Sequence, residues 1–171
     1  GTVTTGTYNA TIGSSATFPA GHVVQALQYT NNYDASTTSS SELDFEQSSG
    51  VVWEPSITVS SGNKVLILAH IHVVTTNSGD TESRVTYKLY EKKGSGSYAV
   101  IQNDYRSIGI YDYGGHGLWF KQVHTTNYLS SPNTGDLIKY KITLEAESAA
   151  TTVQPNYDST VSNIILMEVT A

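Results

Sequence analysis

Apolar and polar residues alternate along several segments of this chain, and the alternation predicts β-strands. Between residues 84 and 91, Val85, Tyr87 and Leu89 fall on one side and polar residues on the other. The same pattern recurs between residues 136 and 146. Side chains two positions apart on a strand share a face, so both segments predict strands with one buried face. Helical periodicity is not evident in any stretch.

Nine segments read as strands on this pattern, and the connections between them are rich in Gly, Asn and Ser, as tight turns require. Strands at this spacing predict an all-β fold: an antiparallel two-sheet sandwich, of jelly-roll type, over residues 22–171. Residues 1–21 are too polar and small to add a core. The predicted strands are His22–Thr30, Glu42–Glu46, Ser56–Ser60, Lys64–Val74, Arg84–Glu91, Ser97–Ile101, Gly117–Thr125, Asp136–Ala146 and Asn163–Thr170.

The last of these strands has apolar residues on both sides of its alternation. A strand with one solvated face alternates apolar with polar, so this one is predicted to be covered on both faces. The most economical cover is another copy of the same chain. We therefore predict a homotrimer. The predicted interface residues are Val24, Ile164, Ile165, Leu166 and Met167.

Composition narrows the possible functions. The chain has 171 residues, enough for one domain with a substantial core. Its formal net charge of -6 argues against general nucleic-acid binding, which needs a basic face. The absence of cysteine excludes thiol catalysis and fits a chain folded in a bacterial cytoplasm. We expect no membrane span, and the weak start at Gly1 suggests a piece of a longer protein.

Four segments, taken in order, resemble a family of virion proteins from tailed bacteriophages that is common in marine phages. Members of this family form tail fibres and other surface appendages. The resemblance implies a β-sandwich that assembles on a phage particle. It also implies that residues 1–21 lead in from a fibre shaft or attach to other virion proteins; the alternative is an arm draped over the domain. The matching segments are Ile12–Gln25, Pro55–Ile71, Ser131–Leu144 and Ser162–Ala171.

The sequence His70-Ile71-His72 places two imidazoles on one face of a predicted strand. Two histidines are too few for a structural zinc site, which usually has four ligands. Three chains around a three-fold axis would supply enough imidazoles for an octahedral metal. Alternatively, the pair hydrogen-bonds within the sheet or lines a polar part of the subunit interface. We expect no metal or other cofactor in a single chain.

The segment from Tyr105 to Phe120 is rich in aromatic residues and glycine. Aromatic rings with a few polar partners suit a sugar-binding surface, and loops on a rigid sandwich often carry recognition. The alternative is that these aromatics pack the sandwich or the subunit interface, as we expect for Trp119 and Phe120. The candidate residues for binding a host-surface glycan are Tyr111, Asp112, Tyr113 and His116.

Nothing in the sequence supports hydrolysis. Gly94-Ser95-Gly96 lies in a predicted hairpin, whereas a nucleophile elbow needs a strand-to-helix turn. We therefore predict a non-enzymatic virion protein on the particle surface: the exposed trimeric domain of a tail fibre or spike that contacts the host. The alternative is a capsid decoration, head fibre or connector with an architectural role. A carbohydrate-binding module fits less well, because such modules are usually monomeric.

Overall fold

The computed structural model describes residues 19–34, 41–77, 82–111, 119–132, 134–147 and 151–171. Within these ranges no helix is both long and apolar enough to cross a membrane. A single 3-10 turn covers Tyr157–Ser159. The strands are β1 (Val23–Asn31), β2 (Leu43–Asp44), β3 (Glu46–Ser48), β4 (Val51–Val52), β5 (Ser56–Thr58), β6 (Lys64–Asn77), β7 (Glu82–Lys93), β8 (Ala99–Tyr111), β9 (Trp119–Ser130), β10 (Leu137–Ala146), β11 (Thr151–Pro155) and β12 (Ser162–Val169).

Two antiparallel sheets form the sandwich. Sheet A has the order β1–β12–β6–β9, and β11 pairs with the far end of β6. Sheet B has the order β5–β10–β7–β8, with β2 beside the other end of β10. The chain crosses between the sheets in the connectivity of a jelly roll. The predicted fold class, an all-β antiparallel two-sheet sandwich, is confirmed.

Several predicted strands differ in extent from the observed ones. The segment predicted as Ser97–Ile101 is the start of β8, which continues to Tyr111. The middle of β8 is polar and lacks a clear apolar–polar alternation, because β8 is an edge strand that is only partly buried. The short strand β11 was not predicted. Its residues are mostly Thr and Gln, yet Val153 packs in the core.

The hydrophobic core lies between the inward faces of the two sheets. β6 contributes every second residue from Val65 to Val73, each at most 1% exposed. Tyr87 and Tyr140 fill the centre from sheet B, and Phe45 packs on Trp53 with ring centroids 5.5 Å apart. Burying one of the Val or Ile side chains of β6 stabilises the fold by about 1.5–3 kcal/mol. The core is therefore built by period-two alternation.

A buried carboxylate joins β1 and β12 to the turn that precedes β6. Glu168 of β12 is 2% exposed, and its oxygens accept hydrogen bonds from the Ser60 backbone N–H (2.7 Å), Asn63 Nδ2 (2.7 Å) and Gln25 Nε2 (2.6 Å). Burial alone raises the pKa of Glu168, but these hydrogen bonds together lower it below its ordinary value. The turn at Ser60–Asn63 contains Gly62 at φ 90, which suits glycine. We call this arrangement the Glu168 knot.

Candidate functional site

Five aliphatic residues form a continuous apolar surface on the outward side of sheet A. Met167 lies opposite Leu66, and Leu66 lies opposite Leu129. Ile165 lies opposite Leu68 in the next outward row. Residues directly opposite on antiparallel strands share a face, so side chains from β12, β6 and β9 meet on this side. We call this surface, defined by Leu66, Leu68, Leu129, Ile165 and Met167, the open face.

The open face is only partly covered by the chain that makes it. Leu129 is 50% exposed, and Val123, three outward positions further along β9, is 49% exposed. Leu66, Leu68, Ile165 and Met167 are half-buried. Contiguous apolar surface of this kind often marks an interaction site.

The predicted interface residues separate into two groups. Ile164 and Leu166 point into the core and are both 0% exposed, because they lie opposite Ala69 and Ile67 on the inward side of β6. This corrects the prediction for those two residues, which are inaccessible to a partner of the folded chain. Ile165 and Met167 point outward. Val24 is 43% exposed beside a bulge at the start of β1.

His70 and His72 lie on the same outward side, one and two rows beyond Leu68. His70 is exposed and lies opposite Asn163 and Thr125; His72 is half-buried and lies opposite Val123. Across the described ranges, no group of three or more His, Asp or Glu residues is placed to hold a metal ion. In the described part of one chain, His70 and His72 therefore form a pair of imidazoles without a third His, Asp or Glu ligand.

Charge is confined to the two ends of the outward side of sheet A. Lys64 lies at one end, and Lys121 lies at the other, 2.7 Å from the Asp158 carboxylate. Along the described parts of β1, β6, β9 and β12, the outward positions between these ends hold aliphatic, hydroxyl, amide or imidazole side chains. Two copies could approach there without like-charge repulsion.

A strained turn forms the rim of this side beyond His72. Asn156, Asp158 and Ser159 have φ values of 55, 58 and 61, in the left-handed region that non-glycine residues rarely adopt. Buried Asn156 is held by its own hydrogen bonds: its N–H donates to His72 O (3.0 Å), and its Oδ1 accepts from the Ser162 hydroxyl (2.6 Å). This anchoring maintains the strained shape.

The outward side of sheet B has the opposite chemistry. Lys88 pairs with Glu145 at 3.0 Å, and Lys141 pairs with Asp44 at 2.6 Å. The Lys141 ammonium also lies 5.1 Å from the ring centroids of both Tyr90 and Tyr98. We call this set of ion pairs and cation–π contacts the charged face. It is well suited to contact with water.

A further carboxylate on the charged face, Glu54, also contacts its neighbours closely. Glu54 accepts hydrogen bonds from Lys139 Nζ (2.7 Å) and from the Tyr98 hydroxyl (2.6 Å). The Lys139 hydrogen bond, followed by that of Tyr98, lowers the pKa of Glu54 below its ordinary value. The lowered pKa favours the ionised form of Glu54, which accepts both hydrogen bonds.

The candidate glycan-binding residues fall at a part of the chain that is not described. Asp112, Tyr113 and His116 lie outside the described residues. Tyr111 ends β8, and Trp119 and Phe120 begin β9, but their side chains are likewise outside the description. The glycan-binding assignment and the core assignment of Trp119 and Phe120 both stay predictions.

A His–Asp pair between the sheets was not foreseen from the sequence. His124 Nε2 lies 3.0 Å from Asp104 Oδ2, and Gln102 Nε2 donates to Asp104 and to Thr126 Oγ1, both at 2.8 Å. Burial lowers the pKa of His124, although Asp104 opposes that shift. β8 and β9 belong to different sheets, so only the tertiary fold brings these residues together. The pair acts as a polar link between the sheets.

No protein-family model matches the chain, and no curated protein is significantly similar to it. Among solved structures, the crystal structure of the infectious bursal disease virus VP2 subviral particle is similar, with a TM-score of 0.42 and 10% identity, covering 87% of this chain and 39% of that chain. A structure of the Gt strain of the same virus gives a TM-score of 0.39 and 11% identity, covering 95% and 42%. The chain thus spans less than half the length of those chains.

Proposed function

We propose that this chain is a non-enzymatic structural protein of a virus particle, and that it assembles as a homotrimer through the open face. The observation that carries the proposal is the uncharged aliphatic surface shared by β6, β9 and β12. Symmetry makes every subunit of a homo-oligomer bury equivalent surface, and beside a three-fold axis the open face of one chain would meet the open faces of the other two. An apolar patch without charge can pack there without like-charge repulsion. Jelly rolls occur in viral capsid domains, which supports the proposal by analogy of fold only.

Within the particle, we favour the exposed domain of a tail fibre or spike over a capsid decoration, head fibre or connector. The preference rests on the four segments that resemble tailed-phage appendage proteins. In this proposal the chain is made in the bacterial cytoplasm and carried on the particle surface. Residues 1–21 would attach it to other virion proteins.

A three-fold axis beside the open face would bring His70 and His72 of three chains together. Neutral imidazoles are good ligands for transition metals, so such an axis would create a site that a single chain lacks. We propose this as a consequence of trimerisation. Metal content that falls together with the trimer in elemental analysis would support it.

Light scattering on the purified chain tests the assembly. We expect a trimer for the wild type and a folded monomer for the double variant Ile165→Ser and Met167→Ser, because hydroxyls replace the apolar contact on the open face. The matched control is Val100→Ser: Val100 is 48% exposed on β8 of sheet B, outside the open face. This control should stay trimeric. A wild-type monomer at micromolar concentration would contradict the proposal.

Host contact is tested separately at the segment that joins β8 to β9. We expect the triple substitution Tyr111→Ala, Tyr113→Ala and His116→Ala to reduce adsorption of particles to host cells while the melting temperature changes little. Asp112 would add a hydrogen-bonding partner for a host glycan. Unaltered adsorption by the folded triple variant would remove this segment as the site of host contact. A domain that binds no host cells at all would favour the architectural alternative.

A further inference from the structure

A bulge in β8 reshapes the charged face at one point. Val85 lies opposite Ile108, and Tyr87 lies opposite Asp104, so Thr86 alone faces the three residues 105–107. The extra residues require Arg106 to adopt φ 53, in the left-handed region that is costly for a non-glycine residue. Bulges frequently re-aim side chains beside functional sites. Here the bulge turns Tyr105 and Arg106 toward solvent.

Neighbouring groups hold the bulge in this strained shape. The Arg106 backbone N–H donates to Thr86 Oγ1 at 3.3 Å. The Arg106 guanidinium pairs with Glu147 and lies 4.8 Å from the centroid of the Tyr105 ring. Glu147 is itself fixed by its backbone N–H, which donates to Arg84 O at 2.9 Å. The Tyr105 ring therefore lies against a guanidinium that is itself ion-paired, and 68% of the residue is exposed to solvent.

A groove of about 390 Å³ opens beside this tyrosine. Pairing places Asn103 opposite Lys88, and Glu145 opposite Thr86, so these side chains line the floor of the groove on the outward side of sheet B. Its cationic groups are paired with its anionic groups: Lys88 with Glu145, and Arg106 with Glu147. We call it the Tyr105 groove, lined chiefly by Lys88, Asn103, Tyr105, Arg106, Glu145 and Glu147.

We propose that the Tyr105 groove binds an uncharged pyranose of a glycan. The exposed tyrosine ring offers a flat apolar surface to the C–H face of a sugar ring. Sugar hydroxyls can donate to Glu145 and Glu147 and also accept from Lys88, Arg106 and the Asn103 amide. A purely anionic ligand would meet the two carboxylates, and a cationic one would meet Lys88 and Arg106. A neutral polyol satisfies both sets.

Preorganisation supports the same conclusion. Ordering flexible side chains costs affinity, and the charged groups of the groove are already held in ion pairs, Lys88 with Glu145 and Arg106 with Glu147. The inference rests on the proposed function in so far as a surface glycan is the ligand expected of a host-contacting domain. It assigns that ligand to β8 within sheet B, independently of residues 112–118.

Amide chemical-shift mapping by NMR on the whole chain tests the assignment. The probes are the methyl glycosides of glucose, galactose, mannose and N-acetylglucosamine. At least one probe should shift the amides of Thr86, Lys88 and residues 103–106 in a saturable way. Tyr105→Ala should weaken that binding roughly tenfold, about 1.4 kcal/mol, and Tyr105→Trp should retain it. Val100→Ala, an exposed site on β8 outside the groove, should bind like the wild type.

Asn103→Ala keeps the test decisive if Tyr105→Ala melts early, because Asn103 is exposed and its removal should also weaken binding. The proposal is overturned if no probe gives saturable shifts, if shifts appear only elsewhere, or if Tyr105→Ala and Asn103→Ala both bind like the wild type. A trimer that fails to bind sugars would overturn this assignment alone. A monomer that binds them would overturn only the proposed assembly.

Discussion

The outward sides of the two sheets differ in side-chain chemistry: that of sheet A is mostly apolar, and that of sheet B is charged. On sheet A the outward positions hold Leu66, Leu68, Ile165 and Met167, and along its described strands the outward charges lie at the ends. On sheet B they hold lysines, carboxylates and tyrosines in mutual contact, such as Lys141 between Tyr90 and Tyr98. Alternating strands leave one face free in each sheet, so the difference reflects what each free face meets. The outward side of sheet B suits water and small polar ligands, and the outward side of sheet A suits another copy of the chain.

The largest difference between a core position and an outward position is expected for two adjacent residues of β12, Leu166 and Met167. Leu166→Ala should destabilise the chain by about 2–5 kcal/mol, because it opens a cavity in a fully buried position. Met167→Ala should cost the single chain clearly less, since its side chain is half-buried, but it should weaken trimer formation. Urea unfolding at low protein concentration measures the first effect, and light scattering measures the second. Equal losses of unfolding free energy would break the distinction.

The Glu168 knot shows that the contrast concerns outward faces and not whole sheets, because this carboxylate of sheet A points inward. Glu168→Gln should cost about 1–3 kcal/mol at neutral pH, since the amide presents donors to groups that are themselves donors. The folded pKa of Glu168 lies below its ordinary value of 4.5, so its stabilisation is present above that value and is lost as pH falls through the lowered pKa.

The wild type and Glu168→Gln should therefore converge in stability as the solution is acidified below pH 4.5. Thermal melts across that range provide the measurement. A gap between the two proteins that stays constant with pH would show that the carboxylate charge has no part in the knot. Glu54→Gln serves as the comparison on the charged face, where the pKa is lowered chiefly by Lys139.

The smallest loss of unfolding free energy is expected for substitutions of exposed charged residues, beginning with the charged face. Lys141→Ala removes an ion pair to Asp44 and a contact with two tyrosines, yet solvent is close by, so the loss of unfolding free energy should be about 1 kcal/mol or less. Lys121→Ala, at the exposed end of sheet A, should cost still less. Chemical unfolding with and without added salt measures both. A change in trimer content with Lys141→Ala would contradict the division of roles between the faces.

The sequence predicts the sandwich well because period-two alternation is strong in β7 and β10, whose inward residues meet across the core. It also identifies β12 as apolar on both sides. It does not reveal which side faces inward: Ile164 and Leu166 were predicted as interface residues and are core residues. That choice depends on the register of β12 with β6, which is a property of the whole sheet.

The candidate sites were harder to predict for the same reason. The two histidines share a face because strand geometry is local. The Tyr105 groove depends on a bulge opposite Thr86, and the spacing of residues in β8 does not predict this bulge. The His124–Asp104 pair needs two edge strands from different sheets to lie side by side. Local patterns therefore predict strands and shared faces, whereas contacts between strands require the fold.

The position of β12 in sheet A also determines when the domain can fold during its synthesis. This strand follows all the others in the sequence, yet it lies between β1 and β6 and supplies the pairing partner of β1. While a ribosome is still adding residues 162–169, sheet A has an unfilled slot with unpaired strand edges on either side. Such edges are templates for pairing with other chains. Folding of this domain must therefore wait until its last strand is synthesised, and crowded nascent chains could fill the slot of a neighbour before their own.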